Sequence, residues 1–159
     1  MSNAHIAMVL DGPLLVPGEA AAALLVTSDG RYLMQHRDPL PGIFFPGWWG
    51  LFGGALDHGE KPEQALRREL EEELGFVPPN VYPFCTLGLD FGFADLGQLD
   101  RHIFEVPITA GDLACMVLGE GQAMALMTAD DLLSRSVIPY DSTVIWQHAT
   151  RHRFQSNLT

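Results

Sequence analysis

Four glutamates, Glu69, Glu71, Glu72 and Glu73, fall within five consecutive positions of the chain. At about 100° per residue on a helix, Glu69, Glu72 and Glu73 lie in one sector of about 100°, and Leu66, Leu70 and Leu74 fill the sector beside it. Like charges at these spacings repel, and near a helix C-terminus the dipole also disfavours anions. A positive partner is needed to hold them together. Hard divalent cations take oxygen ligands, and magnesium prefers a few carboxylates, several waters and phosphate oxygens. Against this stands the plain alternative of an acidic, solvated helix face, the usual meaning of a glutamate run.

The flanking residues shift the balance. Gly53, Gly54, Gly59 and Gly75, with Glu60 ahead of Arg68, call for a tight loop folded back onto the helix start, which a merely solvated face does not need. From Gly54 to Phe76 the chain resembles the Nudix box, Gly-x5-Glu-x7-Arg-Glu-U-x-Glu-Glu-x-Gly-U, where U is a bulky apolar residue. Every fixed position is met, with Leu70 as the first U and Phe76 as the last.

That resemblance implies a metal-dependent hydrolase that cleaves a diphosphate linkage in a nucleoside diphosphate derivative, such as a sugar nucleotide or a (deoxy)nucleoside triphosphate. It makes Glu69, Glu72 and Glu73 ligands of Mg2+, with Mn2+ as a substitute, and adds the Gly54 carbonyl. One of these glutamates, or an acid from another loop, would take a proton from the attacking water. Glu120, between Gly119 and Gly121, is the outside candidate, with Glu105, Asp95 and Asp100 as substitutes. Glu60 and Arg68 become an ion pair that ties the loop to the helix and orients the carboxylates.

For substrate contacts the resemblance points to Arg37, at the end of a strand, against phosphate. Phe44, Phe45, Trp48 and Trp49 offer either a stacking surface for a nucleobase or packing beneath a loop. His36 and His58 read as surface or loop residues rather than ligands, and Arg101 and His102 are weaker candidates still. Phe52 stands where the family often carries proline, and Phe91, Gly92 and Ala94 stand where enzymes of the ADP-ribose and dinucleoside-polyphosphate types carry proline or tyrosine, so those two specificities lose ground. The Pro-rich loop and Gly119-Glu120-Gly121-Gln122 resemble bacterial members of the family. A rival from another class is a Nudix fold that senses a nucleotide without cleaving it, although intact Glu69, Glu72 and Glu73 argue against that. Isomerisation of an isoprenoid diphosphate would need a catalytic cysteine in a context that neither Cys85 nor Cys115 has.

The elements that must position these residues follow from pattern. Residues 19–27 and 31–37 read as a hairpin around Ser28-Asp29-Gly30, 38–47 as a Pro/Gly loop, and 48–52 as a short strand. The leucine stripe, Pro62 and Gly75 bound a helix over 62–74. Segments 81–90, 99–108 and 122–128 read as strands, Thr128 as the cap of a short helix, and 141–153 as a last helix. Strands broken by one central helix, with helices late, predict an α/β/α sandwich on a mixed sheet.

The chain has 159 residues, 47% hydrophobic and 18% charged, which suits one globular domain. Met1 to Ala4 match residues left after tag removal, so the domain is taken as 5–159. A net charge of −11 with nine scattered basic residues excludes a nucleic-acid backbone as partner. A phosphorylated small molecule remains compatible if cations stand between it and the carboxylates. No signal peptide or membrane-length apolar run is evident, and two separated cysteines read as reduced thiols, so the expected location is cytoplasmic. Many members of the family pair as homodimers, but no interface is visible in the sequence.

Overall fold

The structure, a computed structural model, describes residues 18–41, 43–92 and 97–155. Its elements in chain order are β1 (Gly18–Thr27), β2 (Tyr32–His36), β3 (Trp49–Gly50), β4 (Phe52–Ala55), α1 (Pro62–Leu74), β5 (Tyr82–Asp90), β6 (Gln98–Ile108), α2 (Ala110–Cys115), β7 (Ala123–Met127), α3 (Ala129–Leu133) and α4 (Pro139–Gln155). All seven strands join one mixed sheet.

The run Ala20 to Leu25 is buried residue by residue, as befits a strand covered on both faces. One edge of β1 pairs in parallel with β6 along its whole length, from Gly18 opposite Leu99 to Thr27 opposite Ile108. On the other edge β1 meets β2 at Val26 opposite Tyr32 and then parts from it. Both freed edges are taken up by the segment that follows the Pro/Gly loop. β3 pairs Gly50 and Trp49 with Gln35 and His36 of β2, and β4 pairs Phe52 to Ala55 with Ala23 to Ala20 of β1. β7 closes the far side of β2, and β5 the far side of β6.

Residue parity sorts the core into two layers. Ala21, Ala23, Leu25, Leu33 and Phe104 pack with Leu66, Leu70 and Leu74 of α1. On the opposite face Ala22, Leu24, Tyr32, Met34 and Ile103 pack with Leu132 of α3 and with Val144 and Ile145 of α4. Burial of each leucine of the α1 stripe contributes about 2 kcal/mol.

The expected α/β/α sandwich on a mixed sheet is present. Differences from the sequence reading are local. The short strand expected over 48–52 is two strands, because β2 and β1 diverge and the chain must change partners at Leu51. The last helix begins at Pro139, where a missing N–H costs nothing, rather than at Asp141. Helix α2 was not anticipated, although Thr109 caps it by accepting from Asp112 N at 3.1 Å. Met1 to Ala4, Ala94 and Asp95 lie outside the described residues. Among the described residues no helix is long and apolar enough to cross a membrane.

Candidate active site

Helix α1 stops where the sequence says it should. Gly75 adopts the left-handed conformation (φ 62°), its N–H donates to Glu71 O, and Phe76 N donates to Leu70 O. Gln64 closes the other end by accepting from Lys61 N at 3.1 Å. With both ends fixed, Glu69, Glu72 and Glu73 are held in three different environments. Glu72 is mostly exposed, Glu69 is largely covered and Glu73 is buried.

Glu73 is bound from two strands at once. Gly53 N of β4 donates to Oε2 at 2.9 Å, and Gln35 Nε2 of β2 donates to Oε1 at 3.3 Å. Burial nonetheless pushes its carboxyl up to about 8, with the Glu120 and Glu69 charges adding to the rise and the two donors opposing it. Glu69 is raised by the same burial, held back by Arg68 and pushed further by Glu72 and Glu120. Glu120 therefore lies close enough to both for its charge to be felt. Its loop is anchored by Gly119 N donating to Glu73 O at 2.7 Å and by Gln35 Nε2 donating to Glu120 O at 3.1 Å. A Cβ on Gly119 would stand 2.8 Å from Glu72 O, so only glycine lets the loop sit this near the helix end.

Two more glycines set the opposite wall. A Cβ on Gly53 would stand 2.1 Å from Ala21 O, and one on Gly54 would stand 2.6 Å from the Glu69 carboxylate. The second observation places the Gly54 backbone directly against a carboxylate.

Arg68 organises the loop. Its Nε and Nη2 hold both oxygens of Glu60 at 3.0 and 2.9 Å, Nη2 also donates to Ala55 O at 3.0 Å, and Nη1 reaches Glu69 Oε1 at 2.6 Å and Glu72 Oε2 at 3.4 Å. Asp57 N closes the loop on Glu60 Oε2 at 2.9 Å. Guanidinium contact drives the Glu60 carboxyl below its usual range, and the carboxylates push Arg68 further up. The fork to Glu60 is the bidentate arrangement that fixes an arginine plane.

This donor set is all oxygen, which suits a hard cation. Among the described residues no three acidic, histidine or cysteine side chains converge tightly enough to enclose a bare ion.

The other candidates divide between this cluster and elsewhere. Arg37 directly follows β2, two residues beyond Gln35. Its N–H donates to Trp48 O, its carbonyl accepts from Gln122 Nε2, and its buried Nε has no hydrogen-bond partner among the described residues. Phe45 and Trp48 lie 5.3 Å apart, and Phe45 meets Tyr140 edge-on at 5.9 Å. Trp49 is turned to other company, stacked on His36 at 4.6 Å with Arg135 over its ring. Phe44 packs against Phe45 and Phe91. His36 donates from Nε2 to Gly47 O, His58 lies in the box loop, and His102 meets Glu19. Glu105 is bound by His148 and Arg151 on the α4 face, and Asp100 accepts from Gln98. A cavity of about 600 Å³ lies beside Glu105 and His148, and none of the four glutamates lines it.

Sequence reasoning missed Gln35 and Asp141. Gln35 shares its side of β2 with the core residue Leu33, and a polar residue in the apolar phase was the available signal. Asp141, fully buried, accepts from Leu51 N at 2.9 Å and lies 3.1 Å from Arg101 Nη2. Burial raises its carboxyl, and Arg101, the Leu51 N–H and Arg37 draw it back.

Comparison with known proteins bears on the family and the fold. The chain matches the NUDIX domain over residues 16–144. It is 49% identical over 51 residues to the nucleoside triphosphatase NudI of Escherichia coli O139:H28, a stretch covering 32% of this chain and 36% of that protein. The chain thus matches about a third of the length of these curated relatives. Among solved structures, the MutT NUDIX hydrolase of Burkholderia pseudomallei superposes with a TM-score of 0.68 at 25% identity, covering 82% of this chain and 97% of that one. The NUDIX domain of Shewanella oneidensis NrtR, solved with ADP ribose, gives 0.68 at 23% identity over 87% of this chain and 89% of that one, a likeness of fold alone. A domain-wide match, joined to a complete box whose glycines, ion pair and glutamates meet in space, shows that this chain belongs to the NUDIX family.

Proposed function

We propose that this protein is a hydrolase that cleaves the diphosphate linkage of a nucleoside diphosphate derivative, with nucleoside triphosphates as the first class to test. The observation that carries the reading is the meeting of the Glu69, Glu72, Glu73 and Glu120 carboxyl groups around the Gly53-Gly54 backbone, with the Arg68 guanidinium against Glu69 and Glu72. NudI and MutT, the similar proteins named above, support nucleotides as substrates.

Magnesium, held by Glu69, Glu72, Glu73 and the Gly54 carbonyl, would supply neutralisation of the diphosphate charge when bound. The protein's own side chains do the rest. Arg68, fixed by its fork to Glu60, sets the orientation of Glu69 and leaves the exposed Glu72 carboxylate facing outward. Glu120, on a loop whose backbone is pinned to Glu73 and Gln35, takes the proton of an attacking water in this reading. Arg37 steers phosphate, and Phe45 and Trp48 flank the rest of the substrate. Trp49, already stacked on His36, anchors that loop.

The alternative is a sensor that binds a nucleotide without cleaving it. Incubation with magnesium and a panel of nucleoside diphosphate derivatives, followed by phosphorus NMR, separates the two. Release of phosphate or pyrophosphate from at least one compound is expected. No turnover across the panel, with micromolar binding of one member, would establish the sensor instead.

A further inference from the structure

Gln35 is buried on the side of β2 that also carries the core residue Leu33, the side covered by α1. A carboxamide in such a position must find partners, and its NH2 group has two hydrogens to give. Gln35 Nε2 donates to Glu73 Oε1 at 3.3 Å and to Glu120 O at 3.1 Å. One side chain thus ties a carboxylate of α1 to the main chain of the loop that carries Glu120.

That loop is laid across Gln35 by the strand that follows it. Ala123 of β7 lies opposite His36, and Gln122 N adds one more bond to His36 O at 2.8 Å. Gly121 turns the chain off the ladder with φ 93°, and a Cβ there would stand 2.9 Å from His36 O and 3.1 Å from Gln35 Cγ. Glycine lets the loop cross the side chain this closely. Glu120 O then accepts from the carboxamide, and Gly119 N donates to Glu73 O. The loop is held by β2 at one end, by α1 at the other and by Gln35 between them.

The charge of the holder matters as well. Arg68 holds Glu69 with a cation, whereas Glu73 receives neutral N–H groups from Gln35 and Gly53. Neutral donors orient a carboxylate without cancelling its charge, so the charge is left for a metal ion.

We infer that Gln35 is a positioning residue for the proposed hydrolysis: its carboxamide fixes the Glu120 loop against the Glu73 carboxylate, so that the proton acceptor keeps a constant place relative to the glutamates that face the cation. Gln35 acts through Glu73 and Glu120. Without its two donors the loop loses its hold on the helix end, and the loss falls on the chemical step while substrate contacts stay in place. The inference rests on the proposed hydrolysis and goes beyond it in naming the residue that joins its two acidic parts.

The test measures kcat and KM for dATP, dCTP, dGTP and dTTP with magnesium in the parent protein, Gln35→Met, Glu120→Gln and the double variant. Methionine keeps the length of the side chain and loses both donors. Gln35→Met should lower kcat about tenfold or more, with KM within about threefold of the parent. Because Gln35 works by placing Glu120, the double variant should be no slower than the slower single variant, to within about threefold. A second readout needs neither metal nor turnover. Amide hydrogen exchange at Gly119 and Gln122 should quicken about fivefold or more in Gln35→Met, while Leu66 and Leu70 in α1 exchange as in the parent. Parent-like kcat, losses that multiply in the double variant, or exchange that quickens equally in α1 each overturn the inference, the last by showing that Gln35 serves the core as a whole. Should Gln35→Met fail to melt cooperatively, Gln35→Glu, with acceptors in place of the donors, decides by the same readouts. If the parent cleaves none of the four triphosphates, the triphosphate reading fails by itself, and the exchange comparison decides whether Gln35 holds the loop.

Discussion

The Glu69 carboxylate lies 2.6 Å from where a Cβ on Gly54 would be, so a single methyl group there would push the two residues apart. Gly54→Ala pushes on the end of a flexible side chain, not on backbone, so it should spare the fold and displace Glu69 from Arg68. A fall in turnover of tenfold or more with a nearly unchanged melting temperature is the expected result. An active Gly54→Ala protein would remove the close approach from the mechanism. Glu72→Gln tests the exposed member of the trio, whose side chain makes only a 3.4 Å contact with Arg68. It should abolish turnover without affecting folding, and unchanged rates would take Glu72 out of the site.

At the scale of elements, two short helices carry the same cap. Thr109 and Thr128 accept from Asp112 N and Asp131 N, and each aspartate accepts in return from the threonine N–H. Those bonds hold both aspartates below their usual carboxylate range. Because the folded pKa lies below the unfolded one, the stabilisation is present above about pH 4 and is lost as pH falls through the folded value. Melting temperatures between pH 6 and pH 3 should drop less steeply in Asp112→Asn/Asp131→Asn than in the parent. Parallel curves would show that the caps do not titrate with folding. Thr128→Ala should cost about 1 kcal/mol.

The two caps also show how far the sequence could be read. Thr128 to Asp131 followed an obvious strand and was legible as a helix start. Thr109 to Asp112 has the same spacing and also follows a strand, but Gly111 inside its six-residue helix works against a helical reading. Helix α1 was legible in full because stripe, proline and glycine agree. The split between β3 and β4 was not, since it depends on where β1 and β2 part, and the same holds for Arg101 with Asp141, which are forty positions apart and meet only when β6 packs beneath α4. The glutamate trio was visible because helical winding alone assembles it. The unequal burial of its members was not visible, because strands β2 and β4 impose it.

For the molecule as a whole, stability is divided between two apolar layers that share only the sheet. Leu70, fully buried on the α1 side, and Val144, fully buried on the α4 side, have no core cluster in common. Leu70→Ala should cost about 3–4 kcal/mol, mostly through the cavity it leaves. Urea denaturation of Leu70→Ala, Val144→Ala and the double variant should give additive losses within about 0.5 kcal/mol. A clear excess in the double variant would mean that the sheet transmits repacking from one layer to the other.

The parallel pairing of β1 with β6 has a consequence for how the protein is made. A ribosome releases Gly18 to Thr27 early, but the residues opposite them, Leu99 to Ile108, emerge only after the box, α1 and β5 have been synthesised. Through that interval an alanine- and leucine-rich segment waits without its main neighbour, and contacts this distant in the chain form slowly. Nascent chains stalled before residue 99 should therefore remain protease-sensitive at β1, and those extended past 108 should acquire protection in a single late step.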